Sequence, residues 1–167
     1  MFALDINLEK DLTKVITQRL QALSGRKVEI GMFAEQGQHH SGHSYAGLFK
    51  YLSDGDPSNG RGMPARNTLY VTTALKPLST SPLKRSLALY LKDLSKYKSS
   101  DQVLEDVGVY YRDSVRDVFG DDTILAPKSD YTKGLSESPD TPLIETGSLA
   151  KKVAYKIDKQ SPVEVGY

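Results

Sequence analysis

The sequence predicts an α+β domain: a small, mostly antiparallel sheet packed with two or three helices and carrying long extended loops. Three observations lead there. Apolar residues recur at steps of three and four over residues 8–23, 83–94 and 103–118, the period of an amphipathic helix. They alternate over 27–33 and 153–157, the period of a half-buried strand. The stretches 34–44, 54–62 and 121–142 are rich in Gly, Pro, Ser, Asp and His and show neither period, so they read as flexible loops. With 167 residues, the chain is expected to fold as one domain, 1–167, able to bury a core without staples.

In the first helix Leu8, Leu12, Val15, Ile16, Leu20 and Leu23 share one face, with Asn7 as the expected start cap and Gly25 as the stop. Val28, Ile30 and Met32 then point one way and Lys27, Glu29 and Gly31 the other, so helix against sheet is the expected packing. Tyr45, Leu48, Phe49 and Leu52 return to helical spacing up to Gly55. The β-branched and aromatic run Thr68-Leu69-Tyr70-Val71-Thr72-Thr73 favours a strand by propensity. Ser81-Pro82 is an N-cap with proline at the first helical position, leading the stripe Leu83, Leu87, Tyr90, Leu91 and Leu94. Ser99 with Gln102 suits a capping box ahead of Val103, Val107, Tyr110, Tyr111, Ser114, Val115 and Val118. Gly108 weakens that helix by about 1 kcal/mol relative to Ala, which points to close packing against a neighbour. Thr146 is the expected cap of one short turn, followed by the strand Val153-Ala154-Tyr155-Lys156-Ile157. A turn over 158–162 then allows Val163-Glu164-Val165 to return antiparallel.

Composition narrows the chemistry. There is no cysteine, which excludes disulfides, thiol nucleophiles and thiolate metal sites. Lys plus Arg number 22 against 21 Asp plus Glu, so no global field draws the protein to nucleic acid and any DNA contact must be local. No apolar run reaches membrane-span length and the start Met1-Phe2-Ala3-Leu4-Asp5 lacks the regions of a secretion signal, so a soluble protein made in the cytosol is expected. His39, His40 and His43 are the one tempting metal cluster, but Ser41 and Gly42 place them in a loop and no His-Glu-x-x-His pattern is present. They read as solvated histidines. Asp54-Gly55-Asp56-Pro57-Ser58 opens like a calcium loop yet has Asn59 where glycine and Ala65 where glutamate are required. Gly60-Arg61-Gly62 lacks the strand before it and the lysine after it that a phosphate loop needs. With no Gly-x-Ser-x-Gly elbow either, no active site assembles, and the expectation is a non-enzyme without cofactor or metal. A hydrophobic fraction of 38%, on the low side, suits a protein that shares its burial with neighbours, and ten tyrosines suit subunit contacts.

Two segments carry more specific information. Met63-Pro64-Ala65-Arg66-Asn67 lies mid-chain, and Pro142-Leu143-Ile144-Glu145-Thr146-Gly147-Ser148-Leu149 precedes the last alternating stretch. Together, and in this order after a first helix and a Val28-Glu29-Ile30-Gly31 strand, they resemble the neck and tail-completion proteins of tailed bacteriophages. Those proteins carry a Pro-Ala-Arg-Pro-Phe-like stretch and a Pro-Leu-Ile-Asp-Thr-Gly-x-Leu stretch at corresponding places. The resemblance spans most of the chain; Asn67 and Thr68 stand where the family usually has Pro and Phe, and the 54–62 loop is longer than usual. It also allows a helical segment to start at Thr68, in place of the strand that propensity favours there.

The resemblance implies a virion structural protein that closes into a homo-oligomeric ring, a hexamer, at the head–tail junction. It would be assembled in the host cytoplasm against the tail tube protein and head-connector or neck proteins. A tail terminator capping the tube is the neighbouring role. A small metal- or nucleic-acid-binding protein using the histidine loop is the alternative of another class. Under the virion reading, Pro64, Arg66, Arg61, Tyr131, Thr146 and Leu149 are candidates for subunit or partner contacts, while Lys128, Lys133, Lys151 and Lys152 are candidates for screening genomic DNA in a lumen without sequence readout.

Overall fold

The computed structural model describes residues 6–58, 62–77, 82–92 and 99–164. In chain order these form α1 (Ile6–Leu23), β1 (Val28–Gly31), a 3-10 turn (Ala34–Gln36), α2 (Tyr45–Asp54), α3 (Thr68–Leu75), α4 (Pro82–Lys92), α5 (Ser100–Val118), α6 (Asp130–Leu135), α7 (Ser148–Lys151) and β2 (Ala154–Ile157). Among the described residues the fold is therefore α+β, with seven helices and one two-stranded antiparallel sheet.

Helix α5 is the axis. Its start is capped by the Ser99 hydroxyl, which accepts from the Gln102 N–H at 3.4 Å. One side of it packs on both strands and another on α3 and α4. Gly108 lets the helix approach the sheet: an added Cβ would stand 2.3 Å from the Tyr155 ring. Val115 and Phe119 then join Met32, Phe49, Leu149, Ala150 and Val153 in the main core, where the rings of Phe49 and Phe119 stack 6.3 Å apart. Val115 and Val153 are almost fully enclosed, and each contributes roughly 1.5–3 kcal/mol by leaving water. A second cluster gathers Leu104, Tyr155 and Ile157, with Leu23 and Val28 against it.

The sheet joins the two ends of the chain, pairing Val28 with Ile157 and Gly31 with Ala154. Asp158 closes it at a positive φ of 54°, its carboxylate accepting from the Lys27 N–H at 3.0 Å and from Arg26. Among the described residues the expected C-terminal return consists of one bridge, Val163 with Tyr155, whose carbonyl accepts from the Val163 N–H at 2.9 Å; residues 165–167 lie outside the described residues.

Other expectations change. Thr68–Leu75 is a helix, the alternative the resemblance allows, and not the strand that propensity favours. The Asn67 side chain caps it by accepting from the Tyr70 N–H at 3.0 Å, and Thr68 and Thr72, four apart, are buried on the side that meets α5. Tertiary packing and a good cap outweigh β propensity worth about 1 kcal/mol. Asn7 sits inside α1 and so does not cap it. Ser81 and Leu94 lie outside the described residues. Helix α1 packs on α4 and α5 and leaves much of its apolar face open, with Leu12, Ile16 and Leu20 at 47%, 36% and 50% exposure.

Candidate functional site

A cleft of about 460 Å³ lies where the two informative segments meet. Leu48 and Leu52 of α2, Met63 and Pro64, and Leu143, Ile144 and Leu149 supply its apolar lining; Tyr131 and Thr132 of α6, His39 and His40, and Glu145 to Ser148 supply the polar remainder.

The Pro64 wall is built by the end of α2. Gly55 stops that helix at φ 71°, and a Cβ there would lie 2.5 Å from the Ala65 nitrogen, so only glycine lets the chain fold back so closely. Asp56 and Met63 then exchange backbone hydrogen bonds at 2.9 and 3.0 Å, closing the 54–62 loop, and the Arg66 N–H donates to the Leu52 carbonyl at 3.0 Å. The Arg66 side chain is 7% exposed. Its Nε donates to the Ala126 carbonyl at 2.6 Å and its Nη2 to the Pro127 carbonyl at 2.5 Å, so the guanidinium clamps the 121–142 stretch to α2. Burial holds its pKa below the ordinary value.

The facing wall is tied by Lys128. Its three ammonium N–H groups are shared among four oxygens, Ser136 Oγ at 2.6 Å, the Ser138 carbonyl at 2.7 Å, the Ile144 carbonyl at 2.8 Å and Glu145 Oε2 at 2.9 Å. Glu145 also accepts from Ser136 Oγ at 2.5 Å and from the Glu137 N–H at 2.7 Å. These partners, Ser136 first and Lys128 next, pull its pKa down to about 2. The 121–142 stretch, expected as a bare loop, therefore contains α6 and is fastened at both ends. Leu143 sits between these fastenings at φ 63°, a left-handed conformation that costs a non-glycine residue on the order of 1 kcal/mol, held in place by the flanking Gly120 N–H to Pro142 carbonyl bond of 2.9 Å.

The Glu145 clasp makes an acid test. A carboxylate whose folded pKa is depressed contributes stability that is complete above its unfolded pKa of about 4.3 and is lost as pH falls towards the folded value. Between pH 4.5 and 2, amide protection over residues 128–145 is expected to fall more steeply in the wild type than in Glu145→Gln. Hydrogen exchange read by mass spectrometry would measure it, and equal slopes would show that the clasp does not fasten the segment.

Several predicted site residues converge here: Pro64, Arg66, Lys128, Tyr131, Thr146 and Leu149 all line the cleft. Arg61 lies outside the described residues. They differ in exposure. Arg66 and Leu149 are buried and hold the walls together, while Tyr131, 54% exposed, is the contact candidate that faces solvent. Thr146 is not the helix cap: Gly147 takes that position in a left-handed conformation, and Thr146 Oγ1 accepts from the Ser148 N–H at 3.4 Å.

The four lysines do not form a common outward row. Lys128 is 8% exposed with its charge turned inward, Lys133 faces Asp140 at 3.7 Å, and Lys152 pairs with Glu164 at 2.8 Å; the Lys151 side chain is exposed.

Sequence reasoning missed the histidine contribution. Gln36 fixes the start of the 34–44 loop by donating to the Lys152 carbonyl at 2.6 Å, and a Gln38–Ser44 bridge folds its tip over the cleft. The His39 and His40 rings lie 3.8 Å apart there, tilted by 43°, and His39 Nε2 stands 3.5 Å from Ser148 Oγ. Burial, then the neighbouring His40 and His43, lowers the His39 pKa, so the ring stays neutral near pH 7. No group of three or more His, Asp or Glu among the described residues is placed to hold a metal ion. No helix of the described residues is long and apolar enough to cross a membrane.

No family model matches the chain, and no curated protein or solved structure matches it.

Proposed function

We propose that this chain is a structural protein of a tailed-phage virion, a tail-completion or neck protein that closes into a ring, by resemblance a hexamer, at the head–tail junction. The observation that carries the reading is the meeting of the Met63–Arg66 and Pro142–Leu149 segments: the two stretches that resemble the family are the two walls of one cleft. A half-open apolar cleft with an exposed aromatic at its edge suits the capture of a protein segment better than a reaction, since binding anchors are typically aromatic and seated beside apolar pockets. Tyr131 at 54% and Leu135 at 72% exposure, both on α6, give that edge an uncovered apolar surface. The work done is assembly: the cleft and its rim are buried when the subunit seats on a neighbour or on the tail tube.

The test is the mass of the purified protein in solution, alone and mixed with tail-tube protein. A discrete multimer, or retention on the tube that Tyr131→Ala with Leu135→Ser weakens about tenfold or more, is the expected result. A chain that stays monomeric in both conditions and never binds the tube would overturn the proposal.

A further inference from the structure

Arg66 carries more donors than its clamp uses. A guanidinium has five N–H groups. Nε gives one to the Ala126 carbonyl and Nη2 one to the Pro127 carbonyl, while Nη1 makes no hydrogen bond among the described residues and is not sealed from solvent. The two carbonyls satisfy hydrogen bonds but not charge. No carboxylate among the described residues pairs with this guanidinium, although the residue is only 7% exposed. A charge taken so far out of water without an opposite ion is costly, which is why desolvation draws the Arg66 pKa down.

The other charges of the cleft cancel. Lys128 meets Glu145 at 2.9 Å, and Glu145 is the one carboxylate among the lining residues. With neutral histidines the lining therefore has a single unmatched positive charge, Arg66, in the company of Leu48, Leu52, Pro64, Ile144 and Leu149.

We infer that the protein segment seated in this cleft anchors itself by an aspartate or glutamate side chain set between apolar residues, its carboxylate meeting the unused N–H groups of Arg66. Charge complementarity selects that anchor, since a carboxylate matches the planar fork of a guanidinium and gains strength where water is scarce. The apolar lining disfavours a nucleic-acid backbone, which draws its affinity from several cations spaced along its phosphates. This deepens the assembly reading above, on which it rests, by naming the chemistry of the partner. Capture would also tighten the clamp, because the same guanidinium would then hold the partner and the 121–142 stretch together.

Two capped peptides test it. The full chain, labelled with nitrogen-15, is titrated near pH 7 with acetyl-Ala-Leu-Asp-Leu-Ala-amide and with the same peptide carrying Asn for Asp, so that one side chain is the only carboxylate offered. The aspartyl peptide is expected to bind roughly tenfold or more tightly and to move the Arg66 Nε–H signal together with the amides of the lining residues 143–149. In Arg66→Gln the margin is expected to vanish; should that variant unfold, the Arg66 signal of the wild type decides instead. Equal affinities, an aspartyl advantage that leaves the Arg66 signal in place, or tighter binding of a thymidine oligonucleotide than of either peptide would overturn the acidic anchor. So would failure of both peptides to bind a chain that still multimerises or is retained on tubes. A preference for the aspartyl peptide in a chain that stays monomeric and never binds the tube would uphold the anchor and overturn the virion reading.

Discussion

Gly108→Ala is expected to destabilise the protein by roughly 1–3 kcal/mol, although alanine is the better helix former by about 1 kcal/mol. The added methyl would stand 2.3, 2.5 and 2.7 Å from Cδ2, Cγ and Cε2 of Tyr155. That ring cannot step aside cheaply. It is 5% exposed, its backbone is paired with Ile30 in the sheet, and Arg112 lies over it at 5.7 Å. Either α5 retreats from the strands, opening the cluster of Leu104, Tyr155 and Ile157, or the ring leaves its rotamer. Gly108→Val should cost more, since its branched Cβ brings a second carbon into the same space. Urea unfolding would show a lower midpoint at unchanged slope. An alanine variant as stable as the wild type would mean that helix and ring are not so close.

Arg66→Ala carries the second large effect. The side chain bridges two carbonyls of successive residues, Ala126 and Pro127, from a position 7% exposed. Truncation leaves those carbonyls without their charged donor and opens a void beside α2. The combined loss is about 2–4 kcal/mol. Arg66→Lys keeps the charge but not the planar fork, so one ammonium replaces two fixed donors and only part of the stability should return. Thermal melting gives the size, and limited proteolysis gives the place: cleavage should concentrate in 121–142, the stretch the guanidinium clamps. Unaltered melting and cleavage would assign Arg66 no fastening role. Because this stretch forms one wall of the cleft, the retention on tail tubes proposed above should weaken in the same variant.

Strong periodicity makes an element legible from its residues alone. Helices α1, α2 and α5 and both strands fall where apolar spacing puts them, and the crowding inferred from Gly108 is the contact with Tyr155. Local preference standing alone misleads. Thr68, Tyr70 and Val71 favour extended backbone, but a capped turn that buries two threonines against α5 decides otherwise. Thr146 is a sound cap by type, yet the turn starts one residue later, on Gly147 in a left-handed conformation.

The candidate site is half legible. Its two motif segments stand out in the sequence, and the cleft joins them. Arg66 and Lys128, however, look like surface cations because residue type does not reveal which carbonyls a distant stretch will bring. The partners of Lys128 lie at 136, 138, 144 and 145, inside or beside a segment with no periodicity to place it. Leu143 at positive φ has no signature in the sequence at all.

The pairing of β1 with β2 also governs how the molecule comes into being. Residues 28–31 must wait for 154–157 before any strand ladder among the described residues exists, so on the ribosome the early strand emerges with its partner still unmade. Helices can form locally during that interval, but closure of the sheet joins residues far apart in sequence and waits until synthesis has passed Ile157.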